Sequence, residues 1–301
     1  NTYVSPREDL TATKEWMPVN LDPSLKEAVT LQLWRKIAGG QDELVATGEV
    51  DGEVDDPCSA TGCEETPWTY TWYDMPTHDE NGYEYSYWVD EEAVPANFVK
   101  SLSGMTVTNT YQSPTTNRTG TKVWMPVDLL EEWKVTVWFQ LWRYIGSNPA
   151  GVVAVGGPVA ITAAPWTYTW TDMPTHDENG YEYIYYVTEV DADGNDWTPP
   201  NFAKEENGMT VTNTFVQPTA DLTATKIWMP ANLLDEWKVT VWFQLWRYIG
   251  SDPASAVVVG DPVAINAPWT YTWADMPTHD ANGNAYTYFV TEVDADGNDW
   301  T

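Results

Sequence analysis

The stretch Tyr181-Glu182-Tyr183-Ile184-Tyr185-Tyr186-Val187-Thr188-Glu189 decides the fold. Tyr181, Tyr183, Tyr185 and Val187 alternate with Glu182, Ile184, Tyr186 and Thr188, a period of two in aromatic and β-branched residues that predicts a strand with one face in a core. An Asn-Gly pair at 179 stands just before it as a turn signal, and the same pair recurs at 81 and 282. A second alternation sets Val135, Val137, Phe139 and Leu141 against Thr136, Trp138, Gln140 and Trp142. No segment has the periodicity of an amphipathic helix. The fold class expected is all-β, with about seven short strands per domain.

Working outward from this stretch, the whole chain proves repetitive. Pro-Trp-Thr-Tyr-Thr-Trp occurs at 67, 165 and 268, Asp-Met-Pro-Thr-His-Asp at 74, 172 and 275, and Lys-x-Trp-Met-Pro at 14, 122 and 226. Met-Thr-Val-Thr-Asn-Thr followed by an aromatic starts at Met105 and Met209. The period of about 105 residues is a whole domain, too long for a solenoid unit and suited to a β-sandwich. Asn109 and Asn213 each precede the next repeat's Lys by 13 residues, as Asn1 precedes Lys14. The expected organisation is therefore a preceding repeat's tail with linker (1–9), repeat one (10–111), linker (112–120), repeat two (121–216) and repeat three (217–301), the last without its closing strand. Pro6, Pro114 and Pro218 in the junctions predict short, semi-rigid connections. The expected completion of repeat three is continuation of the chain, or a strand added by a neighbouring molecule.

Charge excludes several function classes. With 14 Lys+Arg and 45 Asp+Glu among 301 residues the net charge is −31, so there is no basic stripe for nucleic acid and anionic lipid would repel the chain. Hydrophobic residues make up 43% and aromatics 14%, which argues for packed cores over disorder. No apolar run is long enough to span a bilayer, and the first residues do not form a signal peptide. Cys58 and Cys63 lack nearby histidines for a zinc site and are expected to form a small local disulfide, implying an oxidising, extracellular setting.

One polar residue recurs on an apolar face in each of three strands. Continuing the opening alternation places Glu189 inward after Val187, with Glu91 after Val89 and Glu292 after Val290. Asn213 shares a face with Met209, Val211 and Phe215, as Asn109 does with Met105, Val107 and Tyr111, and Lys226 alternates with Leu222, Ala224 and Trp228, as Lys14 does with Leu10, Ala12 and Trp16. Isolated burial of such charges is costly. One reading is a Lys–Glu ion pair with Asn hydrogen-bonded to it, or strand ends that reach water. The other is chemical: a buried Lys tends toward a neutral, nucleophilic amine and a buried Glu toward its acid form. The acid can polarise the Asn amide for attack and pass a proton to departing ammonia, giving an intramolecular Lys–Asn isopeptide bond helped by proximity in the core.

Lys-Val-Trp at 122, Trp-Thr-Tyr-Thr-Trp, Met-Pro-x-x-Asp-x-Asn-Gly, Tyr-x-Val-Thr-Glu and the closing Val-Thr-Asn-Thr-Phe, taken in order, resemble the collagen-adhesin B-type (Cna-B) domain. The resemblance implies an immunoglobulin-like sandwich from the stalks of Gram-positive adhesins and pili, at the cell surface. It also implies an isopeptide between the Lys of the first strand and the Asn of the last, with the Glu as catalyst. The matching residues are Lys14, Glu91 and Asn109 in repeat one and Lys122, Glu189 and Asn213 in repeat two; repeat three offers Lys226 and Glu292. Turnover catalysis is not expected, since no nucleophile–base set or phosphate loop is visible, and neither a cofactor nor a metal is expected.

Three further features complete the reading. Asp191-Ala-Asp193-Gly-Asn195-Asp196 and its copy at 294 cluster oxygen ligands, but the glycine is misplaced for an EF-hand, so an acidic hairpin turn is expected, with a calcium loop as the lesser alternative. His78, His176 and His279 in the Met-Pro-Thr-His-Asp turns are expected to cap those turns. Trp138, Trp142, Trp242 and Trp246 lie on the face opposite Phe139 and Leu141 or their repeat-three counterparts, and are expected to be buried under the chain's own loops or neighbouring repeats or else to form a contact surface between protomers. Thr30 replaces the first of these in repeat one. The partners expected are further repeats of the same chain or self-association, with a surface or glycan ligand read by the Trp rows as the rival function.

Overall fold

A computed structural model describes residues 3–53, 61–146 and 149–299, apart from the side chains of 63–65. The expected Cys58–Cys63 pairing lies outside the described residues. Repeat one holds β1 (Arg7–Met17), β2 (Val29–Ile37), β3 (Glu43–Val50), β4 (Gly62–Thr66), β5 (Thr69–Pro76), β6 (Tyr85–Glu91), β7 (Phe98–Ser103) and β8 (Thr106–Tyr111). Repeat two holds β9 (Thr115–Met125), β10 (Val137–Ile145), β11 (Val153–Ile161), β12 (Thr167–Pro174), β13 (Tyr183–Val190), β14 (Phe202–Asn207) and β15 (Thr210–Phe215). Repeat three holds β16 (Thr219–Thr225), β17 (Val241–Ile249), β18 (Val257–Ile265), β19 (Thr270–Pro277) and β20 (Tyr286–Val293). The helical elements are single 3-10 turns. Against about seven strands expected per repeat, the described residues form eight, seven and five.

Each repeat is built from two sheets. Their strand orders are β4-β5-β1-β8-β7 with β3-β2-β6, then β12-β9-β15-β14 with β11-β10-β13, then β16-β19 with β18-β17-β20. By compactness the chain divides into one unit of Asn1–Arg118, Arg143–Val152 and Trp170–Ile184 and another of Thr119–Trp142, Val153–Thr169 and Tyr185–Thr301. In the first unit, Ala12 and Trp16 of β1, Trp72 of β5 and Val107 of β8 pack on Leu31 and Leu33 of β2 and Val89 of β6. Residues from the two sheets' inner faces interdigitate, as period-two alternation requires of a sandwich. In the second unit Phe139, Leu141, Val187 and Val211 are buried in repeat two, and Val241, Phe243 and Ile265 form the smaller core of repeat three.

One pairing sets up the candidate site. The first strand of a repeat runs parallel to its last: Lys14 faces Val107 and Trp16 faces Asn109 in β1–β8, while Lys122 faces Val211 and Trp124 faces Asn213 in β9–β15. Asn lies two residues beyond the partner of Lys, so the period-two pleat puts Lys and Asn on one face of neighbouring strands. Among the described residues the strands of repeat three end with β20. That repeat's first strand ends at Thr225, where β1 and β9 run on through Lys and Trp to Met17 and Met125. Alternation placed Val135 and Tyr181 in strands. Both are exposed and lie outside β10 and β13, because each precedes the point where strand pairing begins.

Candidate functional site

The residues singled out for their polarity meet inside the sandwiches. In repeat one Lys14, Glu91 and Asn109 are buried, with the Lys14 and Glu91 side chains wholly inaccessible and Nζ 3.5 Å from Glu91 Oε2. In repeat two the corresponding side chains are equally inaccessible and Lys122 Nζ stands 2.7 Å from Glu189 Oε2. Asn109 Nδ2 donates to Glu91 Oε1 at 3.0 Å, and Asn213 Nδ2 donates to Glu189 Oε1 at 2.9 Å. Glu92, the acid next to Glu91, is exposed. Lys and Asn come from one sheet and Glu from the facing one, so the site exists only when the sandwich is closed.

The backbone and an aromatic wall hold each lysine. Lys14 N donates to Trp68 O, Lys122 N to Trp166 O and Lys226 N to Trp269 O, at 2.7, 2.7 and 2.8 Å. Lys14 Nζ lies 4.4 Å from the Trp16 ring centroid and Lys122 Nζ 4.5 Å from that of Trp124. Those indoles pack edge-on against Trp68 and Phe98, and against Trp166 and Phe202. The wall excludes water, which is what makes the site costly for charge.

Electrostatics follow from that exclusion. Burial lowers the Lys14 and Lys122 ammonium groups from 10.5 to about 8, against the opposing pull of Glu91 and Glu189. Positive Lys100 and Lys204 add to the lowering. At pH 7 a pKa of about 8 leaves roughly one amine in ten neutral. Neither Lys Nζ meets hydrogen-bond geometry with any partner, and Asn109 Oδ1 and Asn213 Oδ1 are also without one. The site thus holds a nucleophile released from its usual solvation, an amide carbonyl with unused acceptor capacity, and an acid touching the same amide. The sequence reading aims the acid at the carbonyl oxygen, whereas here the amide nitrogen faces it; a half-turn of the Asn amide exchanges the two.

In repeat three Lys226 pairs with Glu292, but their side chains are 20% and 33% exposed, and Ile227 and Met229 beside Lys226 are exposed. Sequence reasoning missed Lys100 and Lys204. Each sits directly opposite the Asn on the neighbouring strand and donates to the backbone carbonyl of Glu91 or Glu189 at 3.1 Å. The available signal was the recurrence of Phe-x-Lys at Phe98 and Phe202.

This ordered Lys–Glu–Asn geometry accompanies a sequence match across all three repeats. The profile of the Cna protein B-type domain matches residues 10–110, 119–214 and 222–301. The chain belongs to the Cna B-type domain family. A collagen adhesin of Staphylococcus aureus is 28% identical over 176 residues, 57% of this chain and 14% of that protein, so the chain spans only a small part of the curated relative it matches. A crystal structure of two B repeat units of the collagen-binding protein of S. aureus is 21% identical, covering 96% of this chain and 70% of that one with a TM-score of 0.40. A pilus adhesin, SpaC from Lactobacillus rhamnosus GG, is 16% identical, covering 94% of this chain and 36% of the other with a TM-score of 0.26.

The remaining candidates in these Cna B-type repeats are placed as follows. Trp138, Trp142, Trp242 and Trp246 are half-buried. Trp142 Nε1 donates to Thr188 Oγ1 and Trp246 Nε1 to Thr291 Oγ1, both at 2.9 Å, with their rings stacked beside Tyr186 and Phe289. Repeat one has a matching stack of Trp34 on Trp88 despite Thr30. In the acidic loops Asp191 Oδ1 accepts from Asp193 N and Asn195 N, and Asp294 Oδ1 from Asp296 N and Asn298 N. Their lone pairs are thereby used in closing the turn, and no metal-ligand cluster occurs among the described residues. The histidines do more than cap. Each Nδ1 meets the preceding Thr hydroxyl at 2.8 Å, but His176 and His279 also face Tyr111 and Trp133 of the repeat before.

Proposed function

We propose that these repeats form an extracellular structural element of the adhesin-stalk or pilus type, each complete repeat closed by a self-made isopeptide bond. The carrying observation is the twice-repeated burial of Lys, Glu and Asn in one site, with the amine pKa lowered to about 8. The neutral Lys Nζ attacks Asn Cγ, the Nζ–Cγ bond forms, the Cγ–Nδ2 bond breaks, and Glu relays the amine's proton to the departing nitrogen, which leaves as ammonia. Nothing is consumed besides the two side chains, so each domain reacts once and no turnover follows.

Intact-mass measurement tests the chemistry. Each bond lowers the mass by about 17 Da, the ammonia expelled in covalent attack by Lys, and Glu189→Gln restores that amount for repeat two. A wild-type mass equal to the full sequence mass refutes it. The engaged indole N–H groups and stacked rings of Trp142 and Trp246 support a role in covering the sheet face. Glycan binding abolished by Trp142→Ala would instead support a carbohydrate-binding array.

A further inference from the structure

The strands that carry the two acids, β6 with Glu91 and β13 with Glu189, are edge strands of their three-stranded sheets. One side of each therefore presents backbone groups with no neighbouring strand to bond, and the facing sheet supplies the partners. Val89 N donates to Gly104 O at 3.1 Å and Val187 N to Gly208 O at 2.9 Å, just past the ends of β7 and β14. Two residues on, at the acids themselves, side chains take over. Lys100 of β7 donates to Glu91 O and Lys204 of β14 to Glu189 O, both at 3.1 Å. A single carboxylate oxygen then closes a ring. Asp90 Oδ1 accepts from Glu91 N at 2.7 Å and also from Lys100 Nζ. Glu206 Oε1 accepts from Glu189 N at 2.8 Å and stands 3.0 Å from Lys204 Nζ. In both repeats a Lys–carboxylate pair thus grips the N–H and the C=O of the acid.

The repeats reach this ring with different residues. Aligned on the acid, Asp90 corresponds to Thr188; aligned on the lysine, Leu102 corresponds to Glu206. The carboxylate comes from the acid's own strand in repeat one and from the lysine's strand in repeat two, so what they share is the ring and not the residue that supplies it. Its place explains its use. Glu91 is the last residue of β6 and Glu189 the last but one of β13, where a strand has the fewest backbone bonds to hold it. Lys100 and Lys204 lie directly opposite Asn109 and Asn213 on the neighbouring strand, so the ring ties the acid's peptide groups to the sheet that bears the amide. Lys204 is held further by Asp196 Oδ1 and by Trp197 O. Burial opposes its charge, yet the Asp196 and Glu206 carboxylates raise its pKa overall, so it stays positive.

We propose that Lys100 and Lys204, each with its partner Asp90 or Glu206, are positioning residues for isopeptide formation, fixing the backbone of Glu91 and Glu189 so that these acids stay in hydrogen-bond reach of Asn109 and Asn213. The proposal rests on the cross-linking reading above. The two lysines act through the acid, so they set how fast the bond forms and not which bond it is. A misplacement of about 1 Å costs on the order of 10²-fold in rate, and an acid on a loosened strand end loses part of that. Their charge has a second effect, on the nucleophile. Lys122 is faced by Glu189 from the opposite sheet and by Lys204 and Glu206 from β14, and a nearby like charge favours the neutral amine. Removing Lys204 therefore moves the rise of rate with pH to higher pH.

Cell-free synthesis of the whole chain, sampled over time by intact mass and by mapping of cross-linked peptides, reads each bond separately. Lys204→Met slows formation of the Lys122–Asn213 bond by about tenfold or more at neutral pH. The Lys14–Asn109 bond of the same molecule forms at the wild-type rate. The variant's rate rises with pH about a higher midpoint, and Lys204→Arg, which keeps the charge and the donors, restores both rate and midpoint. Glu206→Leu, which leaves Lys204 in place, slows the same bond, and adding Thr188→Asp rebuilds the arrangement of repeat one and recovers the rate. A Lys204→Met rate equal to wild type, a slowing uniform in pH that Arg does not relieve, or no recovery with Thr188→Asp overturns the proposal and leaves the cross-link standing. Wild type that forms neither bond overturns the cross-linking reading, and the proposal with it.

Discussion

Replacing Asn213 by Ala measures what closure of repeat two is worth. A Lys122–Asn213 bond ties residues 91 apart in sequence. A cross-link closing a loop of that size removes chain entropy from the unfolded state equivalent to about 5 kcal/mol, on the scale that describes disulfides. A hydrogen bond to Glu189 from the new amide N–H, Lys122 Nζ in place of the departed Asn213 Nδ2, adds about 1 kcal/mol. With a urea dependence of about 2 kcal/mol per M for a domain of this size, the midpoint of repeat two falls by about 3 M. The assay is urea unfolding followed by hydrogen exchange on peptides from repeat two, so that its neighbours do not blur the transition. Lys122→Met removes the same bond, and the double variant loses scarcely more than either single one, because one bond cannot be lost twice. Midpoints within about 0.5 M of wild type, or two losses that simply add, refute the covalent reading.

Other perturbations have equally definite outcomes. In Asn213→Ala the free Lys122 titrates at about 8 when folded against 10.5 unfolded. Between those values the unfolded chain binds more protons, so stability rises with pH across the window and is lost on acidification toward 8, by about 3 kcal/mol at most. With Lys122 bonded as proposed, wild type lacks that slope in pH-dependent urea unfolding. Glu189→Gln leaves the fold intact by circular dichroism and the mass uncorrected for ammonia loss, whereas Glu92→Gln, at an exposed site, leaves the mass deficit unchanged. Leu141→Ala, at a fully buried position, costs about 2–5 kcal/mol by cavity formation, read from thermal unfolding. Trp133→Ala withdraws the ring between Phe215 and His279, and calorimetry then resolves repeat three as a separate, earlier transition.

The amino-acid pattern reached the site by a particular route. Period-two alternation carries Glu189, Asn213 and Lys122 to inner faces because a strand has only two sides. That logic is local and cannot say which strands become neighbours. The parallel pairing of β1 with β8 joins segments more than 90 residues apart, and it rests on closure of the whole sandwich. In repeat three Lys226 follows the same alternation, yet β16 ends at Thr225, one residue short of it. Lys100 and Lys204 were invisible for a related reason, since their influence on Lys14 and Lys122 acts through space from the next strand. The histidines looked like turn caps because their junction partners, Tyr111 and Trp133, belong to another repeat.

The adjacency of first and last strands also governs how the chain responds to tension. Load entering at β1 and leaving at β8 meets two neighbouring strands pulled past each other, and the proposed link from Lys14 to Asn109 would carry it across without passing through the 94 residues between. At about 3.4 Å per extended residue those residues represent roughly 320 Å of contour that never pays out. A bonded repeat under pull therefore behaves as a strap of fixed length, with only its linkers left to stretch.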